Sequence, residues 1–231
     1  MPHDGRVPSA SIGGRVGRPP LTSREEILAA ARRVIDSDGW QRLTIRRLAA
    51  ELGVGAATVY HHVQDREDLL IQLLDSYADE SMRTRLPSAP RERIVAATIA
   101  IHDTLAHWPW AAEVVAADGF LGRLSGSAVA MVEAIVAGAV ECGATPAQAT
   151  TVFRSLWYYT VGEILVRTRS DSSEADREAR APAFTDFDPE ATPTLAAIGP
   201  RWLEFSARDT FAVGVDAFVD GLLSRIADDA G

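Results

Sequence analysis

Lysine is absent from this chain: all 23 basic residues among its 231 are arginine. Arginine and lysine codons differ in GC content, so the bias reads as genomic base composition and carries no function. Cysteine is nearly absent as well. The single Cys142 cannot close an internal disulfide, which fits a reducing compartment, and the expected location is the cytoplasm. Glu133, Glu141 and Glu163 break the longest apolar stretches, so no run is long enough to predict a membrane span. No apolar segment follows the N-terminal arginines, and a secretory leader is not expected. Sustained alternation of apolar and polar residues is also missing, which argues against a β fold.

What remains is the composition of an ordinary globular protein, 47% hydrophobic and 24% charged. The net charge of −9 argues superficially against a nucleic-acid partner. Its distribution does not. Residues 1–64 carry nine Arg against six Asp or Glu, a balance of +3, whereas residues 65–231 carry fourteen Arg against twenty-six acids, a balance of −12. DNA responds to the field within a Debye length, about 8 Å in physiological salt, and not to the total. A weakly basic head on an acidic body is compatible with a DNA-binding module.

Residues 1–20 hold five of their positions as Gly5, Gly13, Gly14, Gly17 and Pro19, with further prolines and little apolar pattern, and predict a flexible basic arm. Thr22 and Ser23 stand three residues ahead of Glu25 and Glu26, giving two overlapping capping boxes. Ile27, Ala31, Val34 and Ile35 follow on one helical face, and Gly39 closes that run. Thr44 is the next cap, ahead of a stripe of Ile45, Leu48, Ala49 and Leu52 that ends at Gly53. A second short helix is expected from about Ala56 to His62. Asp65 caps a longer one carrying Leu69, Leu70, Leu73, Leu74 and Tyr77. Helical periodicity also covers about 91–107, 111–117, 123–141, 146–168 and 208–227. The acidic stretch 170–193 reads as a loop or a partly disordered segment. The expected fold is all-α, with about nine or ten helices.

Two short helices meeting at Gly53 are the informative feature, because a sharp reversal with left-handed φ costs least at glycine. Ile45, Leu48, Ala49, Val54, Val59 and Val63 supply the inner faces of a helix-turn-helix. Ala56, Ala57, Thr58, Tyr60 and His61 are left on the outer face of the second helix, where small residues permit close approach to a major groove. The stretch from Leu43 to Val63, with Leu-Thr at 43–44, Leu-Ala at 48–49, Leu-Gly-Val at 52–54 and Thr-Val-Tyr at 58–60, resembles the DNA-binding region of the tetracycline-repressor (TetR) family. The resemblance implies that Thr44 caps its helix and Arg46 reaches a base edge. It implies that Thr58, Tyr60 and His62 contact phosphates or a thymine methyl, with His61 beside them. Arg66 stands where the family usually has a phosphate-contacting lysine. Gly17-Arg18-Pro19 resembles a minor-groove arm, which makes Arg18 a further DNA-binding candidate. Gly55, Ala56 and Ala57 depart from the usual polar residues, so direct base readout leans on Arg46, the arm and DNA shape.

The segment Asp209–Leu223 resembles the last helix of the tetracycline repressors themselves, which with the helix at 146–168 implies a four-helix homodimer interface. Phe211, Val215, Phe218, Leu222 and Ile226 form its apolar stripe, although a core helix would show the same period. The implied organisation is an arm over 1–20, a three-helix DNA-binding domain over 21–65, and an effector-binding and dimerisation domain over 66–231. Trp108, Trp110, Phe120, Trp157 and Tyr158 are candidate walls of an apolar effector pocket, weighed against plain core packing. Relatives that bind magnesium-tetracycline use His and Glu ligands; the matching positions here, near Val114 and Val166, cannot bind a metal. No metal or cofactor is expected, and the effector is expected to be a small apolar or aromatic molecule. His61 and His62 point about 100° apart on a helix and share no ligand geometry. No nucleophile elbow or paired acid–base constellation supports an enzyme. The rival reading is a dimeric DNA-binding activator without a small-molecule effector. The expected partners are therefore a palindromic double-stranded DNA operator, an effector and a second copy of the chain.

Overall fold

Most helices begin where the sequence supplies a start signal. In the computed structural model, which describes residues 22–82, 85–116, 120–170, 182 and 185–229, helix α1 (Arg24–Asp38) opens on a complete capping box. Ser23 Oγ accepts from the Glu26 amide, and Glu26 Oε2 accepts from that of Ser23. Helix α2 (Ile45–Leu52) starts at Thr44, whose Oγ1 accepts from the Arg47 amide at 3.1 Å. Helix α3 (Ala56–Tyr60) follows Gly55, and α4 (Arg66–Ser81) starts at Asp65, whose Oδ1 accepts from the Asp68 amide at 2.7 Å. Helices α5 (Pro90–His107), α6 (Pro109–Val115), α8 (Pro146–Ser170) and α9 (Pro193–Ile198) each begin on proline, whose missing N–H is not needed in a first turn. Helices α7 (Gly126–Glu141), α10 (Trp202–Ser206) and α11 (Phe211–Asp229) complete the set. The described residues contain no strand, and the fold is all-α as expected. Helices α9 and α10 are missing from the periodicity reading because six and five residues are too few to show a stripe.

Two apolar clusters share α4. The first gathers Ile27, Val34, Leu43, Leu48 and Val59 around Leu69, Leu70, Leu73 and Tyr77 of α4. The second gathers Ile94, Ile135, Leu156 and Ile164 around Ile71, Leu74 and Ala78 of the same helix and Met82, which caps its end. Trp108, Trp110 and Val114 pack against both. The head cluster thus draws in residues beyond the boundary expected at 65.

Helix α4 is also clasped by polar groups. Asp75, 8% exposed, accepts from the Ser125 amide at 3.0 Å and from its hydroxyl at 2.6 Å. One turn on, Asp79 Oδ1 accepts from the Ser127 amide at 3.0 Å. Two carboxylates of one helix therefore terminate the first turn of α7, satisfying amides that have no partner within that helix. Gly126 between them has φ of 53°, and a Cβ there would meet Asp79 Oδ1 at 2.8 Å.

The stripe on α11 needs a correction. Phe211, Val215, Val219 and Ile226 are buried within the protomer, where Phe211 stacks on His102 of α5 and lies parallel to Tyr159 of α8. The four lie at helical spacing on the face turned toward α5 and α8. Phe218, about 100° round the helix from its neighbour Val219, stays 38% exposed, as does Val213 at 73%. The face left uncovered is thus Val213 and Phe218, not the whole stripe.

Candidate DNA interface and effector pocket

Gly53 ends α2 in the left-handed conformation, φ 67° and ψ 28°, and its amide and that of Val54 close the turn onto Ala50 and Ala49 carbonyls. This geometry sets α3 against α2 with Val59 fully buried beneath it. Tyr60 is 55% exposed and His61 is exposed, while Thr58 and His62 are half-buried. Gln72 of α4 holds the end of α3 by donating to the His62 carbonyl at 3.1 Å.

The two neighbouring arginines of α2 differ in their partners. Arg47 is spent on Asp38 at 2.8 Å, whereas Arg46 is exposed and has no ion-pair partner among the described residues. Arg42, just ahead of α2, is exposed on the same terms and was not singled out by the sequence, because no helical period reaches it.

Arg66, for which the resemblance implies a phosphate contact, has two main-chain partners within the head. Its Nε donates to the Leu43 carbonyl at 2.7 Å and a terminal nitrogen to the Trp40 carbonyl at 2.8 Å, with the guanidinium 5.0 Å from the Trp40 ring. A guanidinium with two donors committed to main-chain carbonyls acts as a clamp on the entry to α2. The Trp40 indole in turn donates to Glu113 of α6 at 3.0 Å, so the clamp reaches the body. Arg18 and the arm lie outside the described residues, as does the side chain of Phe120.

Behind α4 sits an apolar chamber of about 50 Å³, walled by Leu74, Tyr77 and Ala78 of α4 and Met82 at its end, with Trp108, Phe153 and Trp157 opposite. Trp108 and Trp157 occupy the wall positions expected of them. Trp110 does not line it; its ring meets Tyr77 edge-on at 6.2 Å. Tyr158 is turned away too: it is 59% exposed and hydrogen-bonded to Arg154 one turn earlier. The reason is helical phase, since Trp157 faces the chamber and its neighbour cannot. Sequence reasoning favoured aromatic residues and so missed the aliphatic majority of the lining.

The chamber wall is continuous with the head. Trp108 stacks on Tyr77 with centroids 3.7 Å apart, and on that same tyrosine ring lies the Arg32 guanidinium of α1, 4.3 Å from its centroid. Arg32 also pairs with Glu80 at 3.2 Å. Burial pushes the Tyr77 hydroxyl above its ordinary range, with Arg32 opposing the shift, so it remains neutral.

Comparison with known proteins agrees with this arrangement. The model for bacterial regulatory proteins of the tetR family matches residues 27–73, and that for the tetracyclin repressor-like C-terminal domain matches residues 86–226. The chain belongs to the TetR family. An HTH-type transcriptional regulator of Saccharopolyspora erythraea is 29% identical over 147 residues, which cover 63% of this chain and only 61% of that relative. The HTH-type transcriptional repressor DrrR1 of Streptomyces coeruleorubidus is 27% identical over 228 residues, 92% of this chain and 78% of the relative. Among solved structures, the TetR family protein ActR of Streptomyces coelicolor, in complex with actinorhodin, has the same fold, with a TM-score of 0.72 at 19% identity over 88% of this chain and 98% of that one. As a member of that family, the chain is a transcriptional regulator with an N-terminal DNA-binding domain. No helix among the described residues is long and apolar enough to cross a membrane.

Proposed function

We propose that this regulator is a homodimeric repressor that leaves a palindromic operator when a small aromatic effector enters the chamber behind α4. The observation that carries the reading is the stack of Trp108, Tyr77 and Arg32, which joins a chamber wall to α1 of the reading head. A chamber of about 50 Å³ holds a few waters. Drug-sized ligands occupy about 300–1,000 Å³, so one of that size has to push the walls apart. Since α4 is one of those walls, the displacement reaches the head. Two heads on one duplex must stand about 34–36 Å apart to enter successive major grooves, and a tilt of α4 alters that spacing.

DNA contacts are assigned to Arg46 for a base edge, and to Thr58, Tyr60, His61 and His62 around α3, with Thr44 fixing the start of α2. Arg18 is assigned to the minor groove. Dimerisation is assigned to α8 and α11, whose uncovered residues Tyr158, Val166, Val213 and Phe218 offer an apolar face. Selection from a random duplex pool tests the reading and is expected to return a two-fold-symmetric site. Aromatic compounds that quench tryptophan fluorescence are then titrated against that complex. The coupling factor is expected to be equal whether ligand is added to the DNA complex or DNA to the liganded protein. Asymmetric selected sites would overturn the dimeric reading. Compounds that quench Trp108 and Trp157 yet leave DNA affinity unchanged would overturn the induction reading, because a ligand with equal affinity for both states shifts nothing.

A further inference from the structure

A second concavity opens on the outer side of α5. It has about 580 Å³ of space and is lined by Ser81 of α4 with Ala96, Ile99, Ala100, Asp103 and His107 of α5. Thr104 of α5 and Trp108, which caps the end of that helix, line both this groove and the inner chamber. They are the partition between the two. The compartments differ in chemistry. Apart from Thr104 and the polar edges of its aromatic rings, the inner chamber is hydrocarbon. The groove carries a hydroxyl from Ser81, an imidazole from His107 and the carboxylate of Asp103, whose side chain is 70% exposed.

We propose that the effector site is two-compartment and selects amphipathic cations: molecules with a flat apolar ring system for the chamber and a basic substituent for the groove. The proposal rests on the effector-pocket reading above and adds the polarity of the ligand. Three observations carry it. The shared wall is one residue thick, and Trp108 is among the chamber walls a ligand has to push aside, so one molecule of modest length that displaces this ring reaches both. Asp103 is the carboxylate of the groove, and among the described residues only one of its oxygens is engaged, by His102 at 3.0 Å. Residues 65–231 carry an excess of twelve acidic residues over arginine, a net charge that favours cations over anions. An anionic ligand would meet both the local carboxylate and that net charge.

Three isosteric probes test the inference by calorimetry on the full-length protein: 1-naphthylmethylammonium, 1-naphthylmethanol and 1-naphthoate. In low salt the ammonium is expected to bind at least tenfold tighter than the carboxylate, with the alcohol between them. The margin is expected to shrink to less than threefold in Asp103→Asn. Ser81→Asp, which adds a second carboxylate to the groove on an exposed residue, is expected to widen it and serves if the first variant fails to fold. If all three probes bind alike and neither variant changes the order, the two-compartment inference is wrong while the chamber reading stands. If the carboxylate binds best, it is wrong in sign. If no probe binds the wild type, the chamber reading falls and takes this one with it.

Discussion

Arg46 and Arg66 are both arginines of the reading head, yet their surroundings give them opposite tasks. Arg46 is exposed and has no ion-pair partner among the described residues, so Arg46→Ala is expected to relax base preference by about 1–3 kcal/mol at one position of the site. Tyr60→Phe, which removes an exposed hydroxyl, is expected to weaken all sequences alike. Titrating both variants against singly substituted operators separates the two outcomes, and an equal loss on every site for Arg46→Ala contradicts its assignment. Arg66, committed to the Leu43 and Trp40 carbonyls, behaves differently. Arg66→Ala is expected to lower the melting temperature of the head while leaving the salt dependence of DNA binding unchanged. Loss of a phosphate contact would instead reduce the log–log salt slope by about 0.9. Neither difference could be read from the sequence, where both residues are arginines in a matching motif. The carbonyls that set Arg66 apart lie twenty-three and twenty-six residues away, and the Asp38 that occupies Arg47 and leaves Arg46 as the exposed arginine of α2 lies nine from Arg47.

At the level of elements, capping and periodicity made the helices legible, and the Gly53 turn made the helix-turn-helix specific. The phase of α11 was not legible. A stripe of Phe211, Val215 and Phe218 satisfies the 3.6-residue period within its tolerance, and only the positions of α5 and α8 decide that Val219 turns inward and Phe218 outward. The clasp between α4 and α7 was equally hidden, since Asp75 and Asp79 look like ordinary solvated charges on an acidic helix. Its removal is measurable. Asp75→Ala leaves the Ser125 amide and hydroxyl without their acceptor and is expected to cost about 1.5–3 kcal/mol in urea denaturation, the range for hydrogen bonds to a charged group. A loss below about 0.5 kcal/mol would show that α4 does not need the clasp. The tie between α5 and α11 has a pH signature. Arg91 holds the Asp220 carboxyl below its ordinary range through a hydrogen bond at 2.6 Å. A depressed folded-state pKa contributes stability above the unfolded value and loses it as pH falls through the folded one. Stability of the wild type is therefore expected to fall on acidification below about pH 4, and Arg91→Gln is expected to show a shallower fall in that window. Identical acid profiles would remove the pair from the account.

For the whole molecule, the proposed dimer is tested at Phe218, the exposed aromatic of α11. A charge there would be buried unpaired on association, at a cost of several kcal/mol. Light scattering of Phe218→Asp is expected to give a folded monomer, and a folded dimer would place the interface elsewhere. The sharing of α4 between two cores has an evolutionary consequence. Leu69, Leu70, Leu73 and Tyr77 belong to the head by packing, although they follow the helix-turn-helix in the chain. A recombination event that transplanted operator specificity at the end of α3 would leave Leu43, Leu48 and Val59 without their floor. The heritable cassette therefore includes most of α4, and its seam runs along the inside of a helix. A new head arrives together with half of the helix that floors both cores, so on the proposed reading operator choice and ligand response are inherited as linked traits.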